Sequence, residues 1–405
     1  MEVNHIDTIL RVSEPYLKRM VNKGLLTSAD VQKLHHYPTD WKYLSPNDVV
    51  KQFSIVYRDV VKKRHQASYL VSSDLTDFIS LNTGKIKALW GDCLDVLKNL
   101  KNESVHLMVT SPPYYNARDY SHWDNLDMYL ADMEKVITES YRVLDNHRAF
   151  VFNVGDITGN DNRHTKSVWG SRKIPLGAYF VNIFEKVGFK YIDDFIWDKG
   201  EVESQRHKNS ETPYPLYQYP INCYEHIYIF YKHRQDDVIY PCPVCGCLKV
   251  NGNAHSGVGI QSWECKNLDC FERSESNRGK RFSLRSIVMD DLQDNIVPKE
   301  LIKKWRRDIV EISPVKKINS KGENVLGHTA PFPFDIPEYA IRTLSGKGEI
   351  VMDSFAGSFT SPIEAQKWER IGVGVEKNKD EFRDSIIINV EKRNMNLEEL
   401  NVKCP

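Results

Sequence analysis

The sequence predicts an α/β fold: a parallel sheet with helices on both faces, extended by a helical N-terminal region and a cysteine-containing insert. Three observations lead there. From Lys85 onward, apolar runs of strand length alternate with amphipathic runs at helical spacing. The alternation stops near residue 233 and resumes after Gly327. Five of the eight cysteines fall inside that interruption, between Cys242 and Cys270, which suggests a metal more than disulfides.

In chain order, residues 1–84 read as helical, with a helix end at Gly24, a cap at Thr27 or Ser28 and a further cap at Ser45. They carry no catalytic motif, so an accessory domain or partner surface is the expectation. KIKALWGD is a strand and turn, CLDVLKNL a helix, and SVHLMVTSPPYY a buried strand stopped by two prolines. DMYLADMEKVITESYRVL is an amphipathic helix, HRAFVFNVGD a strand and PLGAYFVNIFEKVGF a helix. YIDDFIWDKG and EHIYIFYKH add two strands. After the insert, GEIVMDSFAGSFTSP is strand, turn and helix start, and RIGVGVEKNKDEFRDSI is strand, acidic turn and helix. The resulting partition is 1–84 helical, 85–232 first half of the α/β domain, 233–326 insert and 327–405 second half.

Composition narrows the function classes. Apolar residues are 41% and charged residues 27% of the chain, enough to bury a core and keep a polar surface. Basic and acidic side chains balance at 55 each, which excludes a histone-like, purely electrostatic binder but not a local basic face. MEVNHIDTIL lacks the pattern of a secretory signal, and no apolar run is long enough to span a bilayer.

VTSPPYYN lies at the carboxyl end of a predicted strand, where ligand sites of open α/β sheets gather. Pro112 and Pro113 fix the backbone and keep their carbonyls as acceptors, and the Ser111 hydroxyl offers another. Tyr114 supplies a flat face on which a base turned out of a duplex could stack. Acceptors placed against an aromatic amine make its nitrogen more tetrahedral and more nucleophilic. It can then attack a methyl donor directly, with positioning worth up to roughly 7–11 kcal/mol.

A second set falls on other strand ends. In VMDSFAGSFTSP, small residues allow a ligand close to the backbone, and the following helix start presents N–H groups to a carboxylate. Glu376, ending GVGVE, suits a ribose hydroxyl pair, and Asp92 in GDC is a candidate for the adenine or ribose side of the same pocket.

TSPPY, DSFAGSFT and GVGVEKN together resemble the amino-methyltransferase family of DNA-modifying enzymes, and their order resembles its β-type arrangement. IWDKG, YEHIYIFYK and HTAPFP are supporting matches; the resemblance covers roughly residues 85–390 apart from the insert. It implies a Rossmann-like class I S-adenosylmethionine-dependent methyltransferase sheet. It also implies a prokaryotic, cytoplasmic, nucleoid-associated enzyme of double-stranded DNA, of the kind found in restriction systems; whether a cognate restriction endonuclease exists, and the oligomeric state, stay open. By the same resemblance Ser111, Pro112, Pro113 and Tyr114 hold the target base. Asp92, Thr110, Asp353, Phe355, Gly357, Ser358, Thr360 and Glu376 hold S-adenosylmethionine. Members with Ser before Pro-Pro-Tyr are mostly cytosine-N4 enzymes, which favours that base. Adenine-N6 methylation, an RNA substrate and a non-catalytic DNA-binding protein with a degenerate fold are the alternatives. The chain departs from the family at Phe359, where a second glycine is usual, so the side chain must point away from the cofactor or narrow its pocket.

In the insert, Cys242 and Cys245 form a CxxC pair, and Cys265 and Cys270 a looser pair about 20 residues on, as a structural zinc ribbon needs. Cys247 is a spare and His255 a weaker alternative ligand. Pro241-Cys242 and Glu323-Asn324-Val325 echo cytosine-C5 enzymes, but the cofactor turn lies after both, whereas that family usually places it first, and Cys242 is better explained as a zinc ligand. Arg278, Lys280, Arg281 and Arg285 are the DNA-contact candidates and Lys303, Lys304, Arg306 and Arg307 form a second cluster; Asp290, Asp291, Asp294 and Asp308 are interleaved, so the net charge is modest and a solvated face is the alternative. The Gly-rich loop at 155–173 is a candidate active-site cover or plain surface.

Overall fold

A computed structural model describes residues 74–116, 122–158, 173–200, 223–232, 241–255, 261–270, 272–273, 278–283, 295–315 and 332–402. The expectations for residues 1–73, for most of the loop at 155–173, for Arg285, for residues 323–325 and for the start of HTAPFP lie outside the described residues. The chain forms two compact units, Met1–Val71 with His233–Asp294, and Ser72–Lys232 with Asn295–Pro405.

The larger unit carries the sheet. Its elements are α1 (Asp74–Ser80), β1 (Ile86–Trp90), α2 (Cys93–Asn99), β2 (Val105–Thr110), α3 (Leu126–Val143), β3 (Leu144–Val154), β4 (Ile157–Thr158), β5 (Lys173–Ile174) and α4 (Leu176–Val187). β6 (Lys190–Asp198) and β7 (Tyr224–Lys232) follow. The smaller unit contributes β8 (Val250–His255), β9 (Gln261–Cys265) and β10 (Arg281–Ser283). The larger unit resumes with α5 (Lys299–Lys304), β11 (Ile309–Glu311), α6 (Asp335–Leu344), β12 (Ile350–Asp353), α7 (Thr360–Lys367), β13 (Ile371–Glu376), α8 (Lys379–Glu391) and β14 (Leu397–Asn401).

Nine strands form one sheet in the order β11-β6-β7-β3-β2-β12-β13-β1-β14. All five residues of β1 are buried, as in a strand covered on both faces; four are apolar and the fifth, Lys87, pairs with Glu398 at 2.6 Å. Leu89 of β1 joins the core under α2, α3 and α4, with Val96, Ile137 and Phe180. Its neighbours Ala88 and Trp90 face the opposite core, with Ile363 of α7 and Phe382 of α8. The alternation of side chains along a strand thus places helices on both faces.

The sheet departs from the expected all-parallel pattern at one strand. β7 runs antiparallel to both β3 and β6. An antiparallel return needs no crossover helix, and the apolar texture of a doubly covered strand carries no sign of direction. The insert is also shorter than its sequence suggests. β11, expected within it, pairs in parallel with β6, and the Trp197 indole donates to the Ile312 carbonyl at 2.7 Å. No described helix is long and apolar enough to cross a membrane.

Candidate active site

β2 and β12 are adjacent and parallel, with Leu107 opposite Val351 and Met108 opposite Met352. From this pair the chain runs outward both ways, β2 to β3 on one side and β12 to β13 on the other. That is a topological switch point, and a crevice opens at the carboxyl ends of such strands. Thr110-Ser111 and Asp353-Ser354, far apart in sequence, meet there.

One hydrogen-bond junction joins them. The Thr110 hydroxyl donates to Asp353 Oδ1 at 2.5 Å, the Ser361 hydroxyl donates to Oδ2 at 2.7 Å, and the Phe355 N–H donates to Oδ1 at 3.0 Å. Asp353 is 1% exposed, and burial pushes its carboxyl up to about 6 despite these donors. Expected as a cofactor ligand, Asp353 instead has both oxygens turned into the protein. It pins the end of β2 to the start of α7.

The turn after β12 is held by a second carboxylate. Gly357 N–H donates to Glu376 Oε2 at 3.2 Å, and Asn378 N–H donates to Oε1 at 2.9 Å. Burial raises the Glu376 carboxyl above its ordinary range, opposed by these backbone donors. Gly357 has φ +49°, a left-handed conformation that costs glycine nothing. Ser358 and Thr360 are buried with their hydroxyls 3.0 Å apart, while Phe355 is half-buried beside the turn. Asp92 caps α2 by accepting the Leu94 N–H at 3.0 Å, and it pairs with Lys377 at 3.1 Å. It is therefore a helix cap first and a ligand only through what remains of its carboxylate.

Phe359 resolves the departure from the family pattern. Its φ is +63°, so it adopts the backbone of the glycine it replaces. Its ring is fully buried in the core of Trp90, Ile363 and Phe382. A Cβ at Gly374 would lie 2.7 Å from the Phe359 ring, so the missing glycine is matched by one on β13 that makes room for the ring.

On the other side of the switch point, Pro112 is buried and Ser111, Pro113 and Tyr114 are half-buried. The Pro113 carbonyl accepts the Tyr129 hydroxyl at 2.9 Å. The Tyr114 hydroxyl donates to Glu225 Oε2 at 2.9 Å and accepts the Gly155 N–H at 2.9 Å. Lys199 donates to the other Glu225 oxygen at 3.1 Å. Burial first, then the nearby Glu225 charge, holds the Tyr114 phenol well above its ordinary range, so it stays a proton donor. Glu225, Lys199 and Tyr129 are not identified from the sequence; EHIYIFYK and IWDKG are flagged only as segments.

The smaller unit gathers the expected thiols. The Sγ atoms of Cys242, Cys245, Cys265 and Cys270 lie within 4.8 Å of one another, with 3.6 Å between Cys245 and Cys265 and 4.0 Å between Cys242 and Cys270. Tetrahedral zinc with Zn–S near 2.3 Å needs S–S edges of about 3.8 Å, so the donor set fits that ion. Gly246, at φ +71°, closes the first knuckle by donating its N–H to the Cys242 carbonyl. Cys247 stands outside the cluster and accepts the Lys249 N–H. β8, β9 and β10 form the three-stranded antiparallel sheet beside it. Of the basic residues, Lys280 pairs with Glu272 and Arg281 with Glu264, the latter at 3.5 Å with Arg281 60% exposed. Arg278 is described as well. Lys280 and Arg281 are thus partly compensated by acidic neighbours.

A family model for DNA methylases, the N6 and N4 methyltransferases, matches residues 105–389, so the chain belongs to that family. The Type II beta methyltransferase M.BslI of Bacillus sp. (strain NEB-606) is 36% identical over 82% of this chain. This chain spans only 30% of that relative's length. The Type II methyltransferase M.ScaI of Streptomyces caespitosus is 22% identical over 74% of this chain and 79% of its own. A Thermus thermophilus structure, provisionally described as a DNA modification methylase, shares the fold, with TM-score 0.51, 22% identity and coverage of 78% of this chain and 99% of its own.

Proposed function

We propose that this chain transfers a methyl group from S-adenosylmethionine to an exocyclic amino nitrogen of double-stranded DNA, and that the nitrogen is N4 of cytosine. The observation that carries the reading is the junction at the switch point. There a base-holding turn and a cofactor-type turn sit on neighbouring strand ends, tied by Thr110 and Asp353. The Thermus neighbour was also solved with S-adenosyl-L-methionine, which supports the choice of cofactor.

The donor set fits such a cofactor. The first amides of α7 suit an amino-acid carboxylate, and the Glu376 carboxylate suits a ribose diol. Bound S-adenosylmethionine supplies an electrophilic methyl group on a sulfonium. The protein's part is positioning. With the Pro113 carbonyl engaged by Tyr129, the Ser111 hydroxyl and Pro112 carbonyl are the acceptors for the two amino hydrogens. Accepting both favours a tetrahedral, nucleophilic nitrogen, and no covalent enzyme intermediate is needed. The anchored Tyr114 ring offers the stacking face for the extruded base. Cytosine is favoured because Ser, not Asp, precedes Pro-Pro-Tyr. Phe359 is the one departure from the family pattern and so the one feature that would favour a degenerate fold, and its packing into the core weighs against that alternative. Cys242, Cys245, Cys265 and Cys270 hold a structural zinc in this reading, and the adjoining Arg278, Lys280 and Arg281 contact DNA.

Mass spectrometry of nucleosides from DNA incubated with the protein and isotopically labelled S-adenosylmethionine tests this. Label in N4-methylcytosine is the expected outcome. Label in N6-methyladenine would overturn the base assignment but not the chemistry. No label in DNAs of varied sequence would overturn the reading.

A further inference from the structure

The crevice at the switch point has two lips, and their backbones part before the strands end. The ladder between β2 and β12 pairs Leu107 with Val351 and Met108 with Met352 and goes no further. Beyond it each strand is paired outward: Val109 and Thr110 with Val151 and Phe152 of β3, Asp353 with Gly374 of β13. A side-chain hydrogen bond spans the gap, from the Thr110 hydroxyl to Asp353 Oδ1 at 2.5 Å. The other two donors to that carboxylate, the Phe355 N–H and the Ser361 hydroxyl, belong to the β12 lip and make the carboxylate a fixed part of it. Among the described residues, Thr110 is the donor that reaches it from across the gap. Thr110, Asp353 and Ser361 are all buried, so water does not compete for these bonds.

Resting on the methyl-transfer reading above, we infer that Thr110 is a positioning residue: its hydroxyl latches the base-holding lip to the cofactor lip and so fixes the spacing between the two reactants. Ser111, next in the chain, belongs to the turn that receives the amine. The turn from Phe355 to Gly357 follows Asp353 directly and belongs to the methyl donor. Direct attack needs nitrogen and methyl carbon held at roughly 3–3.5 Å and aligned, so play between the lips costs rate even when both reactants are bound. At 1% exposure the Thr110 side chain has next to no surface left for a ligand. It acts through Asp353 and touches neither cofactor nor base, unlike the cofactor-holding role that the family resemblance implies. The latch needs a donor at position 110 and an acceptor at 353; it does not need the negative charge.

The test is single-turnover methyl transfer from tritiated S-adenosylmethionine, at saturating cofactor and saturating DNA, on a DNA that the wild-type protein methylates. Affinities for S-adenosylmethionine and for that DNA are measured separately on the same full-length variants. Thr110→Val keeps the shape and removes the donor. It is expected to slow transfer about tenfold to a hundredfold, with both affinities within about threefold of wild type. Thr110→Ser restores the donor and should transfer within about threefold of the wild-type rate. In Asp353→Asn the Phe355 N–H selects the amide orientation: the oxygen stays at the Oδ1 position and still accepts from Thr110, while the amide nitrogen donates to the Ser361 oxygen. This variant should also stay within about threefold. A merely structural role would show as weaker binding and a smaller active fraction, not as a slower step at saturation.

A wild-type rate in Thr110→Val would overturn the latch while leaving methyl transfer standing. So would a loss explained by weaker cofactor binding, which would make Thr110 a ligand, or a loss in Asp353→Asn equal to that of Thr110→Val, which would make the charge the point. A wild-type protein that transfers no methyl group to any DNA would overturn both readings. Should Thr110→Val fail to fold, Thr110→Cys takes its place, a poor donor of the same size as the serine variant: slowed at saturation where Thr110→Ser is not supports the latch, and equal rates in the two overturn it.

Discussion

The two compact units differ in what forms their interior. The sheet-bearing unit buries a continuous apolar core in which aromatic rings dominate, with Phe184 stacked on Phe230 at 3.9 Å and Phe150 and Phe152 packed edgewise nearby. In the described part of the smaller unit, the interior is Trp263, Phe282 and four thiols. Apolar burial on that scale does not offset the entropy of ordering three strands. In the first unit, Ser111 and Glu376 sit on a scaffold whose core does not depend on them. In the described part of the second, the candidate ligands make up much of the interior. The ribbon is therefore expected to fold only with its site filled, whereas the sheet should fold with its site empty.

Metal removal should break this comparison most sharply. Structural zinc supplies on the order of 10 kcal/mol to small cysteine modules, and the binding energy is the folding energy. The purified protein should carry about one zinc per chain by elemental analysis, and Cys245→Ser should lose it. After chelation, hydrogen exchange at β8–β10 should become fast while β1, β2, β12 and β13 stay protected. Continued protection of β8–β10 in metal-free protein would show that the ribbon stands without its ligand set, and the contrast would fail.

Within the sheet unit, a smaller effect isolates apolar packing. Phe359→Gly relieves a left-handed phenylalanine, roughly 1–2 kcal/mol, but removes a fully buried ring worth roughly 3–5 kcal/mol. A net destabilisation of about 2–3 kcal/mol in denaturant midpoint is expected. Gly374→Ala drives a methyl group into that ring and should cost about 1–3 kcal/mol. Combined, the two should cost clearly less than their sum, because the ring that the methyl would meet is gone. Simple additivity would show that the glycine and the phenylalanine are not partners.

How much of this was legible follows the same division between local and long-range causes. TSPPY and DSFAGSFT are local signals: prolines stop a strand, and small residues mark a turn. Both turns lie at the strand ends the sequence predicts. The four zinc-ligand candidates come together as their spacing implies. Asp92 and Asp353 show the limit. A carboxylate at a strand end reads as a ligand, yet one caps a helix and the other bridges two turns, choices made by Leu94, Thr110 and Ser361. Glu225 and Lys199 were illegible because their role exists only once β6, β7 and the end of β2 are brought together. The reversed direction of β7 and the short edge strand β11 were hidden for the same reason: pairing partners leave no mark on periodicity.

The gentlest test concerns the junction that ties the two turns. The Asp353 carboxyl stands at about 6 in the folded protein against an ordinary 3.8, the result of burial outweighing three donors. A raised folded value means the native state holds its proton more tightly than the unfolded chain. The associated stability is fully present below about pH 4 and is lost as pH rises through about 6, a total of about 2–3 kcal/mol. Asp353→Asn cannot titrate and should remove that component. The difference in unfolding free energy, wild type minus variant, should therefore fall between pH 4 and pH 7 and be flat above. Groups such as Glu349 and Glu399, held low by Arg148 and Arg383, contribute with the opposite sign but cancel in the difference. A flat difference across the window would mean that water reaches Asp353. The junction would then be a wet hinge between the turns, and the sheet unit less uniformly dry than its contrast with the ribbon requires.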